Sequence, residues 1–152
     1  MFPGSVKPAN ARKFDLKSLI PGTMASPFAL RMESKVLFID DDADWRKAAL
    51  LALEGAGYSV VAAKDASEAM EQGESSKLGL IVLDLNLAGE SGLTLMKFLR
   101  HNYPGVPIIL FTGMEHDDST VRAMLDEGAD QYMRKASVEE LVVTVGTYLR
   151  PS

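Results

Sequence analysis

Short apolar runs alternate with helical patterns from Lys35 to the end of the chain. The runs Val36–Ile39, Tyr58–Ala62, Leu80–Leu83, Pro107–Phe111 and Gln131–Met133 predict five strands, each followed by a segment with helical spacing of apolar positions. The first, third and fourth runs are unbroken, as expected of strands covered on both faces, whereas the second and fifth carry polar residues and suit sheet edges. Repeated strand-helix units make a parallel sheet, and the order 2-1-3-4-5 puts the apolar runs at its centre. The expected fold is therefore α/β, a flavodoxin-like doubly wound five-stranded sheet with five helices.

Helix boundaries agree with that count. Asp65-Ala-Ser-Glu68 and Ser137-Val-Glu-Glu140 read as capping boxes opening the second and fifth helices, and Gly55-Ala-Gly57 and Gly128 supply stops after the first and fourth. Val138, Leu141, Val142, Val145 and Leu149 fall at helical spacing, which favours a helix over a strand for the β-branched run Val142-Val143-Thr144-Val145.

Charge divides the chain. Residues 1–34 carry a net charge of +3 and residues 35–152 a net charge of −8. The first stretch also holds Pro3, Pro8, Pro21 and Pro27, too many breakers for one packed element. It is read as an N-terminal extension, with 35–150 as the folded domain. A flexible tail, a docking segment built on Phe14, Leu16, Leu19 and Ile20, and a true start at Met24 or Met32 are the three readings of that extension.

Composition removes several classes of function. With 152 residues, 47% of them apolar, the chain is one ordinary domain with a single core. A net charge of −5 disfavours direct nucleic-acid binding. No cysteine occurs, so disulfides, thiolate metal sites and a cysteine nucleophile are excluded, and the cytoplasm is the expected compartment. The apolar runs fall far short of the roughly 20 residues that span a bilayer, so no membrane association is expected.

The chemistry is expected where open parallel sheets bind ligands, beyond the carboxyl ends of the strands. The first strand runs into Asp40-Asp41-Asp42 and the third into Asp84. Carboxylates about 5 Å apart at an effective dielectric near 20 repel by roughly 3 kcal/mol per pair, so a compensating cation is expected. Hard oxygen ligands suit Mg²⁺. Helix capping is the alternative for any one of these acids. Thr112 after the fourth strand and Lys135 after the fifth add a hydroxyl and an ammonium group able to hold the oxygens of a transferring phosphoryl group.

Together, Ile39-Asp-Asp-Asp42, Leu83-Asp-Leu-Asn-Leu-Ala-Gly-Glu-Ser-Gly92, Leu110-Phe-Thr-Gly113 and Gly128-Ala-Asp-Gln-Tyr-Met-Arg-Lys135 resemble the response-regulator receiver domain of two-component signalling. The resemblance implies that Asp84 is the phosphoacceptor. It implies that Asp40, Asp41, Asp84 and the backbone carbonyl of Asn86 bind Mg²⁺, that Thr112 and Lys135 contact the phosphoryl oxygens, and that Thr112 and Tyr132 form the switch. The implied donor is a phosphohistidine on a sensor histidine kinase or phosphotransfer protein. A carboxylate is ordinarily ionised at pH 7 and attacks phosphorus without a general base. Hydrolysis then resets the domain, which makes it a phosphoacceptor that assists its own phosphorylation and dephosphorylation more than a turnover enzyme.

Since the sequence stops two residues after the predicted fifth helix, output is expected through a downstream protein partner or self-association, by resemblance on the fourth helix, fifth strand and fifth helix. Ala136 and Ala88 stand where the family usually has proline. The peptide bond before Ala136 is expected to be trans, since a cis bond there costs about 3 kcal/mol. These two departures leave open a receiver-like binding module that works without phosphorylation. A flavin carrier of the same fold is disfavoured, because the acids after the first strand would repel the phosphate. Trp45 is read as packing or rim of the site, and His101 and His116 as surface histidines.

Overall fold

The computed structural model describes residues 34–151, so the readings made for the N-terminal extension lie outside the described residues. Five parallel strands, β1 (Lys35–Ile39), β2 (Ser59–Ala63), β3 (Leu78–Leu83), β6 (Ile108–Thr112) and β7 (Gln131–Arg134), form one sheet in the order β2-β1-β3-β6-β7. Two short strands, β4 (Asn86–Leu87) and β5 (Glu90–Ser91), pair only with each other as an antiparallel ribbon. With the ribbon set aside, the main strands run 2-1-3-4-5 as the apolar pattern predicts. The ribbon is the element that pattern misses, because two-residue strands have no periodicity to read.

The helices are α1 (Ala43–Gly55), α2 (Ala66–Glu74), α3 (Gly92–Asn102), α4 (Asp118–Asp126) and α5 (Val138–Val145). Alternate residues of each central strand face opposite layers. Leu37, Ile39, Ile81, Leu83, Ile108 and Leu110 join a core with Ala69 of α2, Leu95, Met96 and Leu99 of α3 and Met124 of α4. Val36, Phe38, Leu80, Val82, Ile109 and Phe111 join a second core with Ala49 and Leu53 of α1 and Leu141 and Val145 of α5. The sheet is covered on both sides, which is why its central strands carry no alternation of polar residues.

Caps and stops fix where the chain turns toward the sheet edge. Asp65 accepts from the Glu68 N–H and Ser137 from the Glu140 N–H, as the two box motifs predict. The reciprocal bond of the first box is displaced by one residue, because Glu68 accepts from the Lys64 N–H at 2.9 Å. Asp42 caps α1 and Ser91 caps α3. Gly57 and Gly128, with φ of +99° and +134°, turn the chain after α1 and α4. Observed strand bounds differ from the predicted ones by one or two residues. Among the described residues no helix is long and apolar enough to cross a membrane.

Candidate functional site

Register brings the acids together. Ile39 lies opposite Leu83 in the β1–β3 pairing, so the next residues, Asp40 and Asp84, emerge side by side at the carboxyl edge. The Asp84 N–H donates to the Ile39 carbonyl at 2.9 Å, which continues the ladder one step into the site. Oxygens of Asp40, Asp41 and Asp84 all lie within 4.8 Å of one another. Asp40 and Asp84 are buried and Asp41 is exposed, so the cluster has a protein floor and an open rim.

Backbone donors orient each carboxylate. The Asp42 N–H donates to Asp40 Oδ1 at 3.0 Å, the Asn86 N–H to Asp84 Oδ1 at 3.1 Å, and the Ala88 N–H to Asp41 Oδ2 at 3.0 Å. The last two donors come from the segment leading through the ribbon, which gives β4 and β5 a role at the site. Arg46 reaches back from α1 to donate to the Asp40 carbonyl at 2.8 Å. Asp42 turns away from the cluster, because its Oδ1 accepts from the Asp44 and Trp45 N–H groups at 2.9 and 3.4 Å. The run of three acids therefore divides into two that face the site and one cap.

Among the described residues a single ammonium group answers the buried pair. Lys135 Nζ lies 2.7 Å from Asp40 Oδ2 and 3.1 Å from Asp84 Oδ2. Thr112 pairs with Arg134 at the end of the β6–β7 ladder, and the Lys135 N–H donates to the Thr112 carbonyl at 2.8 Å. Backbone pairing thus carries Lys135 to the sheet edge from the far side. Burial raises the Asp40 pKa above its ordinary value and the Asp84 charge adds to this, so the bonds from Lys135 and Asp42 do not offset the cost. For Lys135, burial works downward but the hydrogen bond and charge of Asp40, then of Asp84, outweigh it and hold the ammonium above its ordinary value. The two shifts thus differ in origin: burial raises Asp40, whereas the two acids raise Lys135.

Thr112 is buried, and its hydroxyl oxygen accepts from the Met114 N–H at 3.4 Å. Tyr132 is half-buried on β7 and its hydroxyl donates to the Met114 carbonyl at 3.0 Å. Met114 therefore links the two residues through its backbone. His116 departs from the expectation of a plain surface histidine: its ring meets Tyr132 edge-on at 5.9 Å, and its Nε2 is buried without a hydrogen-bond partner. Its position in a polar loop gave no signal of this. His101 is exposed on α3 as expected.

The acids present suit a hard divalent cation, since three carboxylates converge with free lone pairs and a buried floor. Residues that sequence reasoning left out of the site are Arg46 and the donors of Asn86 and Ala88. Backbone N–H groups leave no trace in residue identity, whereas the place of Arg46 one turn into α1 was visible as spacing.

Residues 36–145 match the family model described as the response regulator receiver domain. The chain belongs to the response-regulator receiver family, the signalling modules of two-component systems that are phosphorylated on an aspartate. It is 35% identical over 122 residues to the alkaline phosphatase synthesis transcriptional regulatory protein PhoP of Bacillus subtilis, an alignment covering 80% of this chain and 50% of that protein. Among solved structures it resembles the chemotaxis protein CheY4 of Vibrio cholerae, with a TM-score of 0.70 and 28% identity over 76% of this chain and 98% of that one. It also resembles a response regulator from Burkholderia pseudomallei with a phosphorylated aspartic acid, calcium ion and citrate, with a TM-score of 0.66 and 30% identity over 77% of this chain and 66% of that one. The chain spans about half the length of PhoP.

Proposed function

We propose that residues 35–150 are a receiver domain that accepts a phosphoryl group on Asp84 from a phosphohistidine on a sensor histidine kinase or phosphotransfer protein. The observation that carries this reading is the meeting of Asp40, Asp41 and Asp84 within 4.8 Å with one ammonium group, Lys135, bonded to both buried acids. In the transfer, an Asp84 carboxylate oxygen attacks phosphorus in line, the P–N bond breaks and the imidazole leaves with its electron pair, later taking a proton from solvent. Lys135 turns from the Asp84 oxygen to the phosphoryl oxygens while Asp40 keeps it anchored, and the Thr112 hydroxyl supplies a further donor to them.

Asp40, Asp41, Asp84 and the backbone carbonyl of Asn86 would hold Mg²⁺. Bound there, the ion supplies positive charge beside the phosphoryl oxygens. Attack of water on the acyl phosphate returns Asp84 and inorganic phosphate, so the domain times its own signal. Movement of Thr112 toward the phosphoryl group frees space for Tyr132, whose bond to Met114 breaks, and alters the face made by α4, β7 and α5. That face is the surface for a downstream protein or a second copy, with no direct contact to nucleic acid.

Incubation of the full chain with acetyl phosphate and Mg²⁺ tests the reading. One hydroxylamine-labile phosphoryl group is expected in the wild-type protein and none in Asp84→Ala. Equal labelling of the two would overturn it.

A further inference from the structure

Lys135 has a third neighbour besides the two acids. Its Nζ stands 5.3 Å from the centroid of the Trp45 ring, within the range of a cation–π contact. That ring is not loose. Trp45 meets Phe111 edge-on at 5.5 Å and 82°, and Phe111 meets Phe38 at 6.2 Å. Phe38 belongs to β1 and Phe111 to β6, and the residue after Phe111 is Thr112. A continuous stack therefore runs from the core beneath the sheet to the ammonium group, and its last ring comes from the first turn of α1, close behind the acids.

The next residue adds nothing that holds the tip of the lysine. Ala136 is exposed and offers no side chain to pack, and its N–H folds back to the Arg134 carbonyl at 2.9 Å. A lysine side chain has four rotatable bonds, so holding its tip in one place needs contacts at the tip. The acids supply two of these, yet the contact with Asp84 is the one that phosphoryl transfer disrupts. The Trp45 ring is neutral, and transfer leaves it unchanged.

We propose that Trp45 is a positioning residue: its ring holds the Lys135 ammonium at the height of the phosphoryl group while the ammonium exchanges an Asp84 oxygen for a phosphoryl oxygen. The inference rests on the reading of Lys135 as the phosphoryl-binding cation. It assigns to an aromatic side chain on α1 the restraint that the loop around Ala136 does not provide.

The test pairs a spectroscopic and a kinetic measurement on the full chain. The Lys135 ε-methylene protons, one bond from an ammonium 5.3 Å from the indole centroid, should resonate upfield of their ordinary position in the wild-type protein, partly so in Trp45→Phe and not at all in Trp45→Leu. Labelling by acetyl phosphate at saturating Mg²⁺ should follow the same order, with Trp45→Leu slower by about threefold to tenfold, the range a cation–π contact supports. Thermal melts of each variant show whether it folds. An ordinary Lys135 resonance in the wild-type protein overturns the proposal. So does wild-type labelling by Trp45→Leu, and so does Trp45→Phe labelling as slowly as Trp45→Leu while keeping its upfield shift. Failure of the wild-type protein to take label is a different result: it removes the phosphoacceptor reading, and the resonance still reports whether the stack forms.

Discussion

Lys135 lies closer to Asp40 than to Asp84, at 2.7 Å against 3.1 Å, so the cation is bound more tightly to the acid that does not accept the phosphoryl group in the proposed reaction. This arrangement has an energetic consequence in the absence of metal. The Asp40 carboxyl has a pKa above its ordinary value of 3.8, first because it is buried. A group whose folded pKa is raised contributes stability that is complete below the unfolded value and is lost as pH rises through the folded one. As pH rises above that folded value the contribution is lost and the buried charge opposes folding. Asp40→Asn removes the charge, while Lys135 keeps its contact with Asp84. The variant is expected to resist urea better than wild type at pH 7 in metal-free buffer, by about 1 kcal/mol. The difference should shrink as pH falls toward 4. A variant weaker than wild type under those conditions would show that the Lys135–Asp40 pair outweighs the repulsion.

In the proposed site, Asp41 would separate metal binding from the lysine network. It is exposed, bonded to the Ala88 N–H, and makes no ion pair with Lys135 among the contacts described. Mg²⁺ at about a hundred times its dissociation constant stabilises a one-site protein by about 2.7 kcal/mol. Thermal melts of the wild-type protein should shift upward with Mg²⁺ and return on addition of a chelator. In Asp41→Ala most of the shift should vanish, with little change in the metal-free melt. A full shift in the variant would place the ion elsewhere.

The sequence made the central strands legible because burial on both faces leaves an unbroken apolar run, and Val36–Ile39 and Leu80–Leu83 show it. The meeting of Asp40 and Asp84 was equally legible, since each directly follows its strand: once β1 and β3 pair with Ile39 opposite Leu83, the two acids are neighbours. What the residues do not encode is donor geometry. The N–H groups of Asn86 and Ala88 reach the acids through a two-residue ribbon too short to have a period. Nor does a run of three acids show that Asp42 turns outward to cap α1. His116 illustrates the same limit, because its contact with Tyr132 is set by how the loop after β6 folds back over β7.

Arg100 ties the end of α3 to the approach to β7. Its guanidinium donates to the Gly128 carbonyl at 3.1 and 2.7 Å, to the Pro104 and Val106 carbonyls at 3.1 and 2.9 Å, and to Asp130 Oδ2 at 2.6 Å. The same Asp130 oxygen accepts from the Ile108 N–H at 2.8 Å, at the start of β6. Removing the fork leaves several carbonyls to find water. Arg100→Ala should lower stability by about 2–3 kcal/mol in urea titrations. Arg100→Lys should recover less than half of that, because one ammonium cannot span three carbonyls and a carboxylate. The site lies at the other end of the strands, so labelling by acetyl phosphate should be unchanged in native buffer.

Gly92 links backbone packing to the chemistry. A Cβ there would stand 2.5 Å from the Leu85 Cα and carbonyl oxygen and 2.8 Å from its carbonyl carbon. Those atoms are backbone and cannot rotate aside, and they belong to the residue that follows Asp84. Gly92→Ala must push the Asp84–Asn86 segment or the start of α3, at a cost of about 1–3 kcal/mol. Because the Asn86 N–H orients Asp84 Oδ1, the displacement should also slow labelling by acetyl phosphate, by about tenfold for a shift of a fraction of an ångström. Gly89→Ala provides the comparison. A Cβ at Gly89 meets no atom, but the backbone there has a φ of +72°, so the substitution costs strain without crowding Leu85. It should lower stability by about 1–2 kcal/mol and leave labelling near wild type. Equal labelling by wild type and Gly92→Ala would show that the chain after Asp84 absorbs the added atom without moving the carboxylate.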